Sequence, residues 1–275
     1  MLRTPCWVCG IILLLASFPL WAGNSEKIYY FGIPPQQSAA EIARRWTPVM
    51  LYLSQKSGFH IQLKTEKDIA TYSQILGEGG YDFGFSSPLQ YIIAHKKNGL
   101  EAIVKEQNGK TIGLIVVKKN SPIQSVEQLN HQTLAFSGPT AFAATVLPVN
   151  HLNSKKVAFN IHYVVSIDSV YLSVAKGLFP AGGGEIRTFS GLAPDIKNEL
   201  RVIWESSALP PFAFYAHPRV PREVIDKVQN ALVEMGGSAQ GQALLKTINF
   251  TKLEKADDHD YDALRKLNIQ PLGTP

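Results

Sequence analysis

Cysteine is nearly absent from this chain of 275 residues: Cys6 and Cys9 are the only two, and both fall within the first 22 positions. Beyond that segment no thiol remains, so neither a disulfide nor a thiolate metal centre is available there. Charge is sparse as well, at 18% of residues, and basic residues never run longer than pairs such as Arg44-Arg45 or Lys155-Lys156. Without a basic cluster interleaved with aromatics, a nucleic-acid surface is not expected. Low-complexity tracts are missing, and 45% of residues are hydrophobic, which excludes a disordered chain and leaves a packed one.

Long apolar runs are missing too, except at the start. There Arg3 precedes an apolar core from Ile11 to Leu20, and Trp21-Ala22-Gly23 offers a small residue at a cut after Ala22. This is the pattern of a secretory signal peptide over residues 1–22, with an uncleaved anchor as its alternative. Neither cysteine stands at the cleavage boundary, where a lipid-accepting cysteine belongs. Removal of the segment leaves 26 basic residues against 22 acidic ones, a net charge of +4 that favours the approach of a small anion.

From residue 27 the pattern alternates. An apolar strand at 27–33 leads to Ser38, which caps a helix with Glu41 three residues on, and Pro48 is expected to kink that helix before Gly58 ends it. Strands at 59–65 and 81–86 follow, each with a helix behind it. A second round begins with a strand at 111–119 and repeats strand and helix through 201–207. Alternation of this kind predicts α/β lobes with crossover helices. The expected division is 23–116 with 211–275 for the first lobe and 117–210 for the second.

Open α/β sheets bind ligands beyond the carboxyl ends of their strands, where helices begin. In the turn after Phe136, Ser137-Gly138-Pro139-Thr140, glycine lets the backbone approach a ligand, proline suits the first helical position, and two hydroxyls stand by. A helix start offers unpaired N–H groups and a partial positive charge, which suits an oxyanion. A plain helix cap satisfies the same pattern. The turn Ser86-Ser87-Pro88, with Tyr91 one turn later, repeats the chemistry in the first half. Arg187, after three glycines, is either a bidentate partner for an oxyanion or a solvated surface cation.

No catalytic group assembles. Gly84-Phe85-Ser86-Ser87-Pro88 has proline where a nucleophile elbow needs glycine. Gly182-Gly183-Gly184 lacks the last glycine of a dinucleotide fingerprint. The seven histidines show no paired metal spacing. No enzyme, cofactor or metal site is expected.

Several stretches together resemble a known family. FGIPPQQSAAEIARRWTPVMLYLSQKSGF, YDFGFSSPLQYIIAH and SPIQSVEQLNHQTLAFSGPTAFAATVLP are similar, in order, to the periplasmic binding proteins of phosphonate, phosphite and phosphate ABC importers. The resemblance implies a type II periplasmic-binding-protein fold, with two α/β lobes hinged about a cleft. It implies a monomer in the periplasm that hands a small oxyanion to an ABC permease in the inner membrane. It places the ligand on Ser137, Gly138 and Thr140, with help from Ser86, Ser87 and Tyr91 and from Gln36, Gln37 and Ser38 of the first-strand loop. Asp168 stands in the family's His-Asp pair, of which Ile167 replaces the histidine, and Phe212 stands near a position that carries a carboxylate in some relatives. A sensor of the same fold, presenting its anion to a membrane histidine kinase, is the second reading.

Overall fold

The computed structural model describes residues 27–267, 269 and 272; the expected signal peptide lies outside them. The elements run β1 Ile28–Gly32, α1 Ala39–Ser57, β2 His60–Lys64, α2 Ile69–Gly77, β3 Phe83–Ser86, α3 Pro88–Asn98 and β4 Glu101–Glu106. Then come β5 Gly113–Lys118, β6 Gln132–Phe136, a π-helical turn Phe142–Val146 leading directly into α4 Leu147–Ser154, β7 Phe159–Tyr163, α5 Ile167–Ala175 and β8 Ala181–Glu185. The chain continues with α6 Ile186–Ser190, α7 Pro194–Lys197, β9 Leu200–Glu205, β10 Ala213–Ala216, α8 Arg222–Glu234, α9 Ala239–Thr247, β11 Leu253–Lys255 and α10 Asp262–Arg265.

These strands form two sheets, ordered β11-β4-β10-β3-β1-β2 and β7-β6-β8-β5-β9. In the first, β1 lies parallel to β2 and β3, while β10 runs antiparallel between β3 and β4. In the second, β6 lies parallel to β7 and β8, and β5 runs antiparallel to β8 and β9. The chain crosses between sheets at 107–112 and returns at 206–212. Thr111 and Leu209 bind each other through both backbone N–H groups at 3.0 Å, which ties the two crossings into one hinge. Residue 116, the expected crossing point, lies inside β5 of the second sheet.

Local chemistry explains the elements nearest the cleft. Ser38 caps α1 by accepting from the Glu41 N–H, and the helix runs unbroken through Pro48 to Gly58, which takes φ 78 at its end. Its apolar face buries Ile42, Trp46, Val49 and Leu53 against Phe31, Phe83 and Phe214, each such side chain contributing about 1.5–3 kcal/mol. Residues 181–185, with their triple glycine, form β8, a central strand with all five residues buried. A Cβ at Gly183 would collide with the Ala144 carbonyl, and one at Gly184 with the Tyr171 hydroxyl. The missing side chains let the π-helical turn and α5 lie flat on the sheet.

Candidate functional site

Four helical segments begin at one place between the sheets: α2 and α3 from the first lobe, the π-helical turn and α5 from the second. A cavity of about 20 Å³ lies there. Its walls are Pro34, Gln36, Ile69, Ser87, Gln90 and Phe212 on one side, and residues 141–144, Ile167 and Glu185 on the other. A space of this size holds about one water-sized particle, so the lobes stand closed.

The donors at this cavity are mainly backbone. Among the described residues, the N–H groups of Phe142, Ala143 and Ala144 find no acceptor; only Ala141 donates, to the Gly138 carbonyl at 3.3 Å. They form the first turn of a helix continuous from Phe142 to Ser154, so the positive end of its dipole faces the cavity. Opposite, Ser87 caps α3, its hydroxyl accepting from the Gln90 N–H at 3.3 Å and donating to the Gln90 amide oxygen at 3.0 Å. The third helix start is already occupied, since the N–H groups of Ile167 and Asp168 donate across the cleft to the Gln36 carbonyl at 3.0 and 3.3 Å.

Glu185 is the one carboxylate in the lining. Its oxygens accept from the backbone N–H groups of Arg187 at 3.1 Å and Thr188 at 3.2 Å, so they cap α6. Arg187 stands 3.7 Å from it and donates to the Gln36 side-chain oxygen at 2.6 Å. Its guanidinium lies 5.1 Å from the ring centres of Phe85 and Phe212 and 5.4 Å from that of Phe250, all carried by the first lobe. Arg187 thereby clamps the lobes together, with one donor on Gln36 and its guanidinium packed against rings of the first lobe.

The other expected residues divide. Gln36 and Ser87 line the cavity, whereas Ser137, Gly138 and Thr140 lie just outside its walls. Thr140 bridges the lobes, its hydroxyl accepting from Ser73 at 3.0 Å and donating to the Ile69 carbonyl at 3.5 Å. Gly138 takes φ 135 to swing the chain from β6 into the helix, a role that leaves its N–H outside the lining. Ser86 and Ser137 are buried with hydroxyls unpaired among the described residues, and neither lines the cavity. Tyr91 belongs to another network. Its hydroxyl donates to Asp258 at 2.9 Å and accepts from the Ala102 N–H at 3.1 Å, tying α3 to the segment before α10. Burial holds that phenol far above its ordinary pKa, with Asp258 reinforcing the shift, so it stays protonated.

Gln37, Ser38 and Asp168 line a separate chamber of about 330 Å³, shared with Glu41 and Arg45. Burial raises the Asp168 carboxyl to about 6, with Arg45 opposing the shift and Glu41 adding to it. The native protein therefore keeps a proton that the unfolded chain releases near pH 4. The sign follows: stability falls as pH rises from about 4 through about 6, because the native state binds more protons across that window. Asp168→Asn is expected to flatten this slope and to raise the midpoint of thermal unfolding at pH 7. Melting curves from pH 4 to 8 check it; parallel profiles for the two proteins would remove Asp168 as the cause.

Side-chain reading passed over the residues that build the cavity. Alanines and a phenylalanine at 141–144 carry no polar side chain, Gln90 is the unread last member of the Ser87 capping box, and Ile69 and Glu185 sit in segments without a motif. The signal that locates the free N–H groups is where the helix begins, not which hydroxyls precede it.

Comparison with known proteins agrees with this fold. Residues 31–261 match the family described as ABC transporter, phosphonate, periplasmic substrate-binding protein. The phosphonates-binding periplasmic protein of Escherichia coli (strain K12) is 20% identical over 266 residues, covering 91% of this chain and 79% of that protein. A binding protein component of a phosphonate ABC transporter from Pseudomonas aeruginosa superposes with a TM-score of 0.77 at 18% identity, over 87% of this chain and 85% of that one. A Prochlorococcus marinus protein solved in complex with methylphosphonate gives 0.78 at 14% identity, over 88% of this chain and 97% of that one. The two lobes therefore have the type II periplasmic-binding-protein fold, and the task of the cleft is binding, not catalysis. Among the described residues no helix is long and apolar enough to cross a membrane. By its matched length and its fold, this chain belongs to the family of periplasmic substrate-binding proteins of phosphonate ABC transporters.

Proposed function

We propose that the central cavity takes the tetrahedral oxyanion head of a phosphonate, or of phosphite or phosphate, on the backbone N–H groups of residues 142–144. The observation that carries this reading is that run of unpaired donors at a helix start, facing a cleft walled by both lobes. Hydrogen bonds to a charged acceptor contribute roughly 1.5–3 kcal/mol each. Ser87 and Gln90 complete the ring from the first lobe, and Ser86 and Ser137 supply spare hydroxyls behind it. Admission of the head requires the lobes to part about the paired crossings at Thr111 and Leu209. The loaded, closed monomer then docks on the permease of an importer in the inner membrane, and residues 1–22 direct export to the periplasm.

Titration calorimetry with methylphosphonate, aminoethylphosphonate, phosphite and phosphate tests the reading. Saturable binding of at least one, at one per chain, is expected. No heat with any of the four rejects the ligand class.

A further inference from the structure

A second space adjoins the first, and its walls are of a different kind. It measures about 60 Å³ and is lined by Leu76, Leu89, Ile93, Ala94 and Val146, with Lys97 at its rim. The same elements border both spaces. α2 contributes Ile69 to the central cavity and Leu76 to the annex; α3 contributes Ser87 to one, Ile93 to the other and Gln90 to both. The helical turn that carries the free N–H groups lines the central cavity with 141–144 and the annex with Thr140 and Val146. Between them runs a chain of bonds: the Gln90 amide donates to Ser73 at 2.6 Å, and Ser73 donates to Thr140 at 3.0 Å. This partition consists of side chains from two lobes, so it separates when the lobes do.

We infer that the annex receives the organic substituent of the ligand, and that the preferred ligand is a phosphonate with an apolar alkyl or aryl group. The inference rests on the oxyanion reading of the central cavity. A head held on residues 142–144 and Ser87 lies beside Gln90, and the aliphatic space is on the far side of that residue. The central cavity offers no rival place: Glu185 is bound to the α6 backbone, and the remaining wall is closed by Phe142, Ile167 and Phe212. If one water-sized group needs up to about 15 Å³, the annex holds about four carbon-sized groups.

Calorimetry on the purified protein with methyl-, ethyl-, butyl- and hexylphosphonate provides the test. Affinity is expected to rise about fourfold per methylene up to butyl, the effect of burying each CH₂, and then to level off. Ile93→Trp, which fills the annex at its half-buried side, should bring the butyl-to-methyl ratio to about one. Methylphosphonate binding with no gain at butyl overturns the annex and leaves the oxyanion reading standing. A butyl preference that survives Ile93→Trp also overturns it. Failure of all four alkylphosphonates to bind overturns this inference, and the oxyanion reading falls with it only if aminoethylphosphonate, phosphite and phosphate also give no heat.

Discussion

Ala143→Asp is expected to abolish oxyanion capture while leaving the fold intact. The new carboxylate lies at the three unpaired N–H groups of the helix start and takes the place of the guest. It also repels any anion that approaches. Two unit charges about 4 Å apart near a protein surface interact by roughly 4 kcal/mol, which corresponds to about a thousandfold in affinity. Folding should survive, because an acidic residue in a first helical turn is favoured by the dipole. Calorimetry with the best-bound phosphonate, beside a thermal melt, checks both halves. Ala143→Ser is the control, since it keeps the N–H and adds only a hydroxyl. Retained affinity in Ala143→Asp would place the anion elsewhere.

Arg187→Met is expected to have the second largest effect, and it acts on lobe closure. Its guanidinium belongs to the second lobe but is packed among three phenylalanines of the first, with one donor on Gln36. A desolvated cation–π contact contributes about 2 kcal/mol and a charged hydrogen bond about 1.5–3 kcal/mol. Methionine keeps the reach of the side chain and loses both. Glu185, with only 1% of its side chain exposed, also loses the nearest cation. The closed arrangement then loses its largest single clamp. Small-angle scattering of the unliganded variant should show a larger radius of gyration than the wild type. Phosphonate affinity should fall at least tenfold, since ligand energy must now supply the closure. Identical scattering curves would mean that Arg187 does not hold the lobes.

Much of this architecture was legible without coordinates. The capping serine of α1 and the strand-turn-helix rhythm gave two α/β lobes, because those patterns depend on neighbours a few residues apart. The short strands were less legible. Residues 101–106, 213–216 and 253–255 pair across separations of more than a hundred residues, as β10 does with both β3 and β4, and nothing local marks them. Residues 181–185 were not legible as a strand for a specific reason: glycine is a poor strand former on its own, and only the approach of two helices explains it there.

The candidate site divides along the same line. Gln36 and Ser87 border the cavity as their turns suggested, and Thr140 bridges the lobes beside it. Tyr91 and Arg187 carry suitable groups, yet each is committed to another partner. That difference is invisible in a list of residue types.

The amino-acid sequence by itself determined where helices begin and which faces are apolar, since both follow from short-range caps and periodicity. It thereby determined that strand ends and helix starts would gather in a cleft. Only the tertiary structure decided which helix start kept its N–H groups free: one at 142–144 open to the cavity, another covered by the Gln36 carbonyl. The physical reason is that an unpaired donor is defined by what fails to approach it, and approach across two lobes is settled by packing, not by neighbours in the chain.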